Sequence, residues 1–503
     1  MTDYVPSPVG EKRDERYRVS LNGGAEFYPD EVTVSAEPYN TVWPGFQRPA
    51  EQTEKAAYCS FAACGSTEVT VTVGYPFRTA VIRPLSAGVV PVREGDTLRF
   101  TLPETGQYVL EIDGFHGALH LFADEPDESV PEHAVVYEPG VHHIGSVRLK
   151  SGDTVYLARG AVVYGAFTAV GAENITVCGA GVLDGSFETR TDAQQIIPNT
   201  HTYGKGNLTD RIVAEDPVLI EQLIRENQML DGCFRFYKCR NVRVSGVTVR
   251  DAAGFSLIAA ACENFLIERV KLVGLWKYNT DGFDLLNSSN VVISDCFLRT
   301  FDDSVVLKGI KGWDSRGLEN ITVKRCVVWC DWGRNLEIGA ETTADEYRNI
   351  LFEDCDLIHG AHIYMDIQNT GRAYVHDVTF RNIRCEYQAS RLPAVYQSDM
   401  TAPYPASGKA GSEQPLLMFA ASYDGDMYGG ETANGKISDI RFEDIHVLAE
   451  PGVSMPRSQF LGLDAEHGTR NVTVKNLTFN GVRITEWEKA AIEVNGFAEA
   501  VLE

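Results

Sequence analysis

Asp281 precedes Asp302 by 21 residues and Asp302 is followed directly by Asp303, in a run from Asn279 to Gly309 that otherwise alternates like buried β-strand. Carboxyl groups converging on one patch push their pKa values apart, because like charges a few ångströms apart resist simultaneous ionisation. One acid then stays protonated while another acts as a base. That division of labour is what hydrolysis of a glycosidic bond demands: an acid for the leaving oxygen and a carboxylate for the attacking water. Such a reaction needs no metal and no organic cofactor.

The elements that must position these acids are repeated. A nine-residue pattern recurs as NITVCGAGV from Asn174, NVRVSGVTV from Asn241, NFLIERVKL from Asn264, NVVISDCFL from Asn290 and NITVKRCVV from Asn320. It continues as NILFEDCDL from Asn349, DVTFRNIRC from Asp377, DIRFEDIHV from Asp439 and NVTVKNLTF from Asn471. Each unit alternates apolar and polar residues, turns a two-residue corner and alternates again, as strands with one buried face do. Between Asn241 and Asp377 the starts lie 23 to 30 residues apart, the period of one turn of a parallel β-solenoid. Asp281 and Asp302 then fall on neighbouring rungs, about 4.8 Å apart. Asp302 and Asp303 can share one face only if the backbone turns there, with Phe301 placed to fix the bend. The leading Asn of each unit is expected to form a ladder, its amide bonding to the backbone of the next coil.

The first part of the chain differs. VTVTV, TAVIRP, TLRFTL, GQYVLEI and ALHLFA, between Val69 and Ala123, are short alternating runs of the kind that build an antiparallel sandwich. The expected fold is therefore all-β: a small antiparallel β-sandwich over residues 1–140, then a right-handed parallel β-helix over 141–503, with PDESVPEH as connector. Two long gaps between repeats mark insertions near 185–232 and 388–436. The first contains DPVLIEQLIRENQML, a predicted helix with Asp216 as N-cap and Pro217 at its first position. The second contains the loop-like APYPASGKAGSEQP. Long loops on a rigid solenoid commonly wall a binding cleft.

A formal net charge of −25 argues against nucleic acid or an anionic membrane surface as a partner, which leaves a carbohydrate substrate consistent with the acids. The oligomeric state is open. No apolar run in MTDYVPSPVGEKRDERYR could serve as a signal peptide, so a cytoplasmic location is expected of the chain as given. The eleven cysteines show no CxxC pair or zinc spacing and read as reduced, mostly buried thiols. No D-x-D-x-D-G loop is present to bind calcium.

At the acids the chain resembles a known group, the polygalacturonase-type β-helical hydrolases of glycoside hydrolase family 28 and their dextranase and isopullulanase relatives in family 49. The resemblance spans roughly residues 142–480 in organisation and rests on NTDGFD, Asn279 to Asp284, and on the DD pair of FDDSVVLKG. IGAE, Ile338 to Glu341, looks like the IGSE stretch of exo-acting members. The resemblance implies that Asp302 is the general acid, that Asp281 and Asp303 activate water, and that the anomeric centre inverts. It further implies that Asn279 orients Asp281 or the substrate and that Lys308 contacts a sugar. The N-terminal sandwich is similar to the two-domain plan of the dextranase family.

Two departures bear on the substrate. The family's GHG histidine falls near WGRNLEIG, where Gly333, Arg334 and Asn335 stand, and its RIK pair falls near GAHIYMDI, where His362 and Tyr364 stand. Without that guanidinium and ammonium the charge-assisted grip on a uronate is gone. A neutral poly- or oligosaccharide, such as a dextran-like glucan, is therefore expected in place of polygalacturonan, with an exo-acting pectic hydrolase as the alternative. Arg334, His362, Tyr364 and Trp276 are candidate substrate contacts, together with Glu337 and Glu341, either of which could instead pair with Arg334. Asp284, Asp295 and Asp331 read as corner residues. Two other classes remain on the same scaffold: a polysaccharide lyase and a non-catalytic carbohydrate-binding solenoid.

Overall fold

The computed structural model describes residues 3–36, 53–188, 232–309, 316–388, 414–425 and 433–503. From Val135 onward, short strands join a single sheet system in which strands pair in parallel with their counterparts one coil later, apart from an antiparallel pair, Thr478–Phe479 with Val482–Arg483. Three strand positions repeat on each coil. The first holds Phe234–Tyr237, Leu257–Ala260, Phe283–Leu286, Val305–Gly309, Arg334–Thr342, Ile363–Asn369 and Leu416–Ser422. The second holds Arg240–Ser245, Glu263–Glu268, Ser289–Ser294, Leu318–Lys324 and Glu346–Glu353. The third holds Thr248–Arg250, Lys271–Leu272, Phe297–Thr300, Val327–Cys330 and Asp356–His359. This is the expected parallel β-helix, and its interior is a continuous column of Val, Ile, Leu and Phe.

The recurrent Asn forms a ladder, but its partner differs from the expected backbone carbonyl. Asn290 Nδ2 donates to Asn264 Oδ1 at 3.2 Å, Asn320 Nδ2 to Asn290 Oδ1 at 2.8 Å, and Asn349 Nδ2 to Asn320 Oδ1 at 2.7 Å. The residue type has a second cause. Asn241, Asn264, Asn290, Asn320 and Asn349 all sit at positive φ, between 52° and 58°, a left-handed conformation that Asn tolerates better than most residues.

Ahead of the helix, nine strands among the described residues form two antiparallel-rich sheets. One is ordered Tyr17–Leu21, Thr67–Val73, Thr97–Leu102, Val92–Glu94, and the other Asp30–Ser35, Thr53–Ala62, Leu119–Asp124, Gly106–Ile112, Ala80–Arg83. Their facing sides share a core that includes Tyr17, Val71, Leu98, Phe61, Leu110 and Leu121. The opposite side of the five-stranded sheet is also buried: Val34, Tyr58, Val109 and Phe122 pack on Phe297, Val327, Trp329 and Ile358 of the helix. Alternation along Thr53–Ala62 serves two cores, since Ala57 and Cys59 face the sandwich while Ala56 and Tyr58 face the helix.

All eleven cysteines are free, and all but Cys64 are buried. The helix expected from Asp216 and Pro217, and all but the end of the loop expected near 402–415, lie outside the described residues.

Candidate active site

The turn that carries the chain from the third strand position to the first occurs once per coil, and the candidate residues collect there. On successive coils it contains Asp281, then Asp302 and Asp303, then Asp331 to Gly333 leading into Arg334, then Gly360 to His362. Coil-to-coil bonds hold the turns in contact: Gly282 N–H donates to Asp303 O at 2.8 Å, and Trp332 N–H to Phe301 O at 2.8 Å. The Asp302–Asp303 bend is tied from inside, because Thr300 Oγ1 donates to Asp302 O at 2.6 Å and meets Ser304 Oγ at 2.7 Å. Two glycines let the coils approach. A methyl at Gly282 would lie 2.2 Å from Ser304 O, and one at Gly333 would lie 2.5 Å from both the amide nitrogen and Oδ1 of Asp303.

The backbone turn brings the three acids together as their spacing predicts. Asp281, Asp302 and Asp303 retain only 1%, 3% and 6% exposure, so each feels the others through little water. Burial, then Asp281 and Asp303, raise the pKa of Asp302 well above the carboxylate range. Burial also pulls Asp303 up, but Arg334 and then Lys308 outweigh it and leave Asp303 below its ordinary value. Arg334 reaches Asp303 Oδ1 with its backbone N–H at 2.9 Å and with Nη1 at 3.5 Å. Burial lifts Asp281 to about 6 against the pull of Lys308, whose Nζ donates to Asp281 Oδ2 at 2.8 Å. Adjacent residues on one turn thus hold opposite protonation preferences.

The other expected residues divide. Lys308 is buried between Asp281 and Asp284, with Nζ 3.2 Å from Asp284 Oδ1. Asp284 is therefore no corner residue: it lies on the strand Phe283–Leu286, turned outward because Phe283 and Leu285 fill the core, and burial raises its pKa well above the usual value. Asp295 does occupy an exposed corner, at φ 59°, paired with Arg325 at 2.7 Å. Asp331 lies at a corner but is buried, and its Oδ1 accepts from Trp329 Nε1 at 2.7 Å. Arg334 pairs with Asp303 and also lies 3.8 Å from Glu337 Oε1 and 3.4 Å from Asp366 Oδ2. Glu337 is wholly buried, not at the surface. Glu341 is half-buried at the far end of the same strand, its carboxyl pushed up to about 7 by desolvation.

His362 is exposed beside the patch, within electrostatic reach of Arg334 and Asp303. Tyr364 does not join it. Its ring is buried in the helix core and its hydroxyl donates to Glu386 O at 2.9 Å, so it offers nothing to a ligand. Asp366 and Gln368 of that strand face outward, since Met365 and Ile367 point inward. Sequence reasoning missed both; the period-2 alternation would have found them once the inward pair was fixed. Trp276 is half-buried with its indole N–H bonded to Asp251 Oδ1 at 3.1 Å. Asn279 sits at φ 58° two residues before Asp281 and makes no hydrogen bond to it among the described residues. Among those residues no group of three or more His, Cys, Asp or Glu is arranged to hold a metal ion.

Residues 219–401 match glycosyl hydrolases family 28. The resemblance read from the motifs holds over that segment. All three acids, Lys308, Arg334 and His362 lie inside it. An exopolygalacturonase of Arabidopsis thaliana is 32% identical over 126 residues, which are 25% of this chain and 26% of that protein. A probable polygalacturonase of the same plant is 29% identical over 158 residues, 30% of this chain and 32% of that protein. The chain thus spans only about a quarter to a third of these curated relatives. Dex49A from Penicillium minioluteum shares the fold from end to end, with a TM-score of 0.58 at 14% identity, covering 98% of this chain and 96% of Dex49A.

Proposed function

We propose that this protein is an inverting glycoside hydrolase in which Asp302 protonates the leaving glycosidic oxygen while Asp303 and Asp281 take a proton from the attacking water. The observation that carries the reading is the split within one turn: burial, Asp281 and Asp303 raise the pKa of Asp302 well above the carboxylate range, while Arg334 and Lys308 outweigh burial and bring that of Asp303 below its ordinary value. Water attacks from the face opposite the leaving oxygen, so the configuration at the anomeric carbon inverts. The matched family segment supports the reaction class.

We further propose a neutral poly- or oligosaccharide as substrate. Both cations of the patch are engaged by its acids, Lys308 by Asp281 and Asp284 and Arg334 by Asp303, Glu337 and Asp366. A uronate carboxylate entering here would compete with buried acids for charges already shared. The exo-acting pectic reading has its own support, since the curated relatives matched are an exopolygalacturonase and a probable polygalacturonase.

The test is hydrolysis of a panel of neutral and galacturonate oligosaccharides, with the first-formed product anomer followed by proton NMR. An inverted product from a neutral sugar is expected. A retained anomer, or an unsaturated product absorbing in the ultraviolet, refutes the mechanism.

A further inference from the structure

Past the acid turn, the outward face of the first strand position continues along the coil axis. Cross-coil pairing places Asp284 opposite Val306, Val306 opposite Glu337, and Glu337 opposite Asp366. Leu336, Ile338, Met365 and Ile367 fill the core between them, so Glu337, Asp366 and Gln368 all turn outward. Successive coils are about 4.8 Å apart, which sets this group beside the Asp302–Asp303 turn.

These side chains are buried without being satisfied. Glu337 and Asp366 have no exposed surface, yet among the described residues Oδ1 of Asp366 has no hydrogen-bond partner and the Glu337 carboxyl has none but Asp303. The remaining Asp366 oxygen accepts from Gln368 Nε2 at 2.9 Å. Buried polar atoms are almost always paired in folded proteins, and an orphan calls for a reason such as a ligand that completes it. Asp303, Glu337 and Asp366 share one guanidinium, that of Arg334.

We infer that Glu337, Asp366 and Gln368 form a subsite that reads the hydroxyl groups of a neutral sugar unit next to the bond that is cleaved, an assignment that rests on the hydrolase reading above. A sugar hydroxyl both donates and accepts, as do a protonated carboxyl and a primary amide, so each orphan oxygen can be completed without importing charge. Burial pushes Asp366 up to about 7 and Glu337 well above its usual value, which keeps both available as neutral partners. A uronate carboxylate would have to displace Asp303, Glu337 or Asp366 from the one guanidinium they share. An amino sugar would be drawn in only if these acids were ionised.

The test compares the wild type with Asp366→Ala, Asp366→Asn and Gln368→Ala on isomaltotriose, maltotriose, cellotriose, trigalacturonate and the glucosamine trimer, with melting temperature as a check on folding. The wild type is expected to hydrolyse at least one neutral trimer in preference to both charged ones. On it, Asp366→Ala and Gln368→Ala raise KM by about tenfold with kcat within about threefold, and Asp366→Asn, which still donates and accepts, restores KM to within a few-fold. An unchanged KM in folded Asp366→Ala overturns the subsite, as does a wild type that prefers trigalacturonate or the glucosamine trimer. A folded wild type that hydrolyses none of the five counts against the hydrolase reading itself, and the inference falls with it.

Discussion

Two regions of this molecule bury several charges each, and they are built on opposite principles. At the seam between the sandwich and the helix, Arg83 bonds both Glu111 and Glu386, His359 bonds Glu111 through one ring nitrogen and Gln388 through the other at 2.6 Å, and Leu85 N–H donates to Glu386 at 2.6 Å. Every carboxyl there has a partner. Although burial opposes it, His359 and Arg83 bring Glu111 down to about 2, whereas at Glu386 burial outweighs Arg83 and lifts the carboxyl to about 7. At the acid turn six carboxyl groups, Asp281, Asp284, Asp302, Asp303, Glu337 and Asp366, face Lys308 and Arg334, and five of the six have raised pKa values. The seam spends its charges on cohesion, whereas the turn keeps its own in competition. Hydrogen-bond pairing, not burial, distinguishes the two: the seam acids are paired on both oxygens, and among the described residues the turn leaves carboxyl oxygens without a hydrogen-bond partner.

The comparison breaks most sharply at Asp302. Asp302→Asn should lower turnover by roughly three orders of magnitude or more while oligosaccharide binding persists, measured by single-turnover kinetics and titration calorimetry. Arg83→Met should do the reverse. It leaves Glu111 and Glu386 short of a cation and should cost about 3–5 kcal/mol of stability in denaturant titration, with activity per folded molecule little changed.

Gly333→Ala probes how finely the turn is set. The added methyl must displace Asp303, backbone included, and kcat should fall by about a hundredfold, with a lowered melting temperature.

Asp281 of the turn and Glu111 of the seam should answer pH in opposite senses. The folded-state pKa of Asp281, about 6, lies above its unfolded value; its stabilisation is complete below the unfolded pKa and is lost as pH rises through about 6. That of Glu111, about 2, lies below its unfolded value, so its stabilisation is present above the unfolded pKa and is lost as pH falls toward 2. Asp281→Asn should therefore remove a decline in stability between about pH 4 and 6, and leave the acid-side loss intact. The smallest effect expected is at the surface: Asn290→Ala should cost about 1 kcal/mol by removing ladder bonds and placing Ala at positive φ.

The acid turn was legible in the sequence because its parts are local. A spacing near one coil and an adjacent pair suffice to bring Asp281, Asp302 and Asp303 onto one corner. Asp284 and Tyr364 were misread for a related reason. Each lies where a strand begins, and whether it faces out or in depends on where the corner ends, a matter of one residue. The Asn repeat announced a ladder, but the left-handed backbone that selects Asn is not written in an alternation pattern. The seam was invisible, since Arg83 and Glu386 are 303 positions apart and His359 and Glu111 are 248 apart, and no periodicity links them.

The five-stranded sheet between Asp30 and Asp124 has no free side, being claimed by its sister sheet on one flank and by the coil on the other. Severing the chain after the connector would strip Phe297, Val327 and Trp329 of their cover, and these belong to the strands that run straight into the two turns around Asp303. The front module is in that sense a splint: it braces from behind the strands that lead into the acid turns.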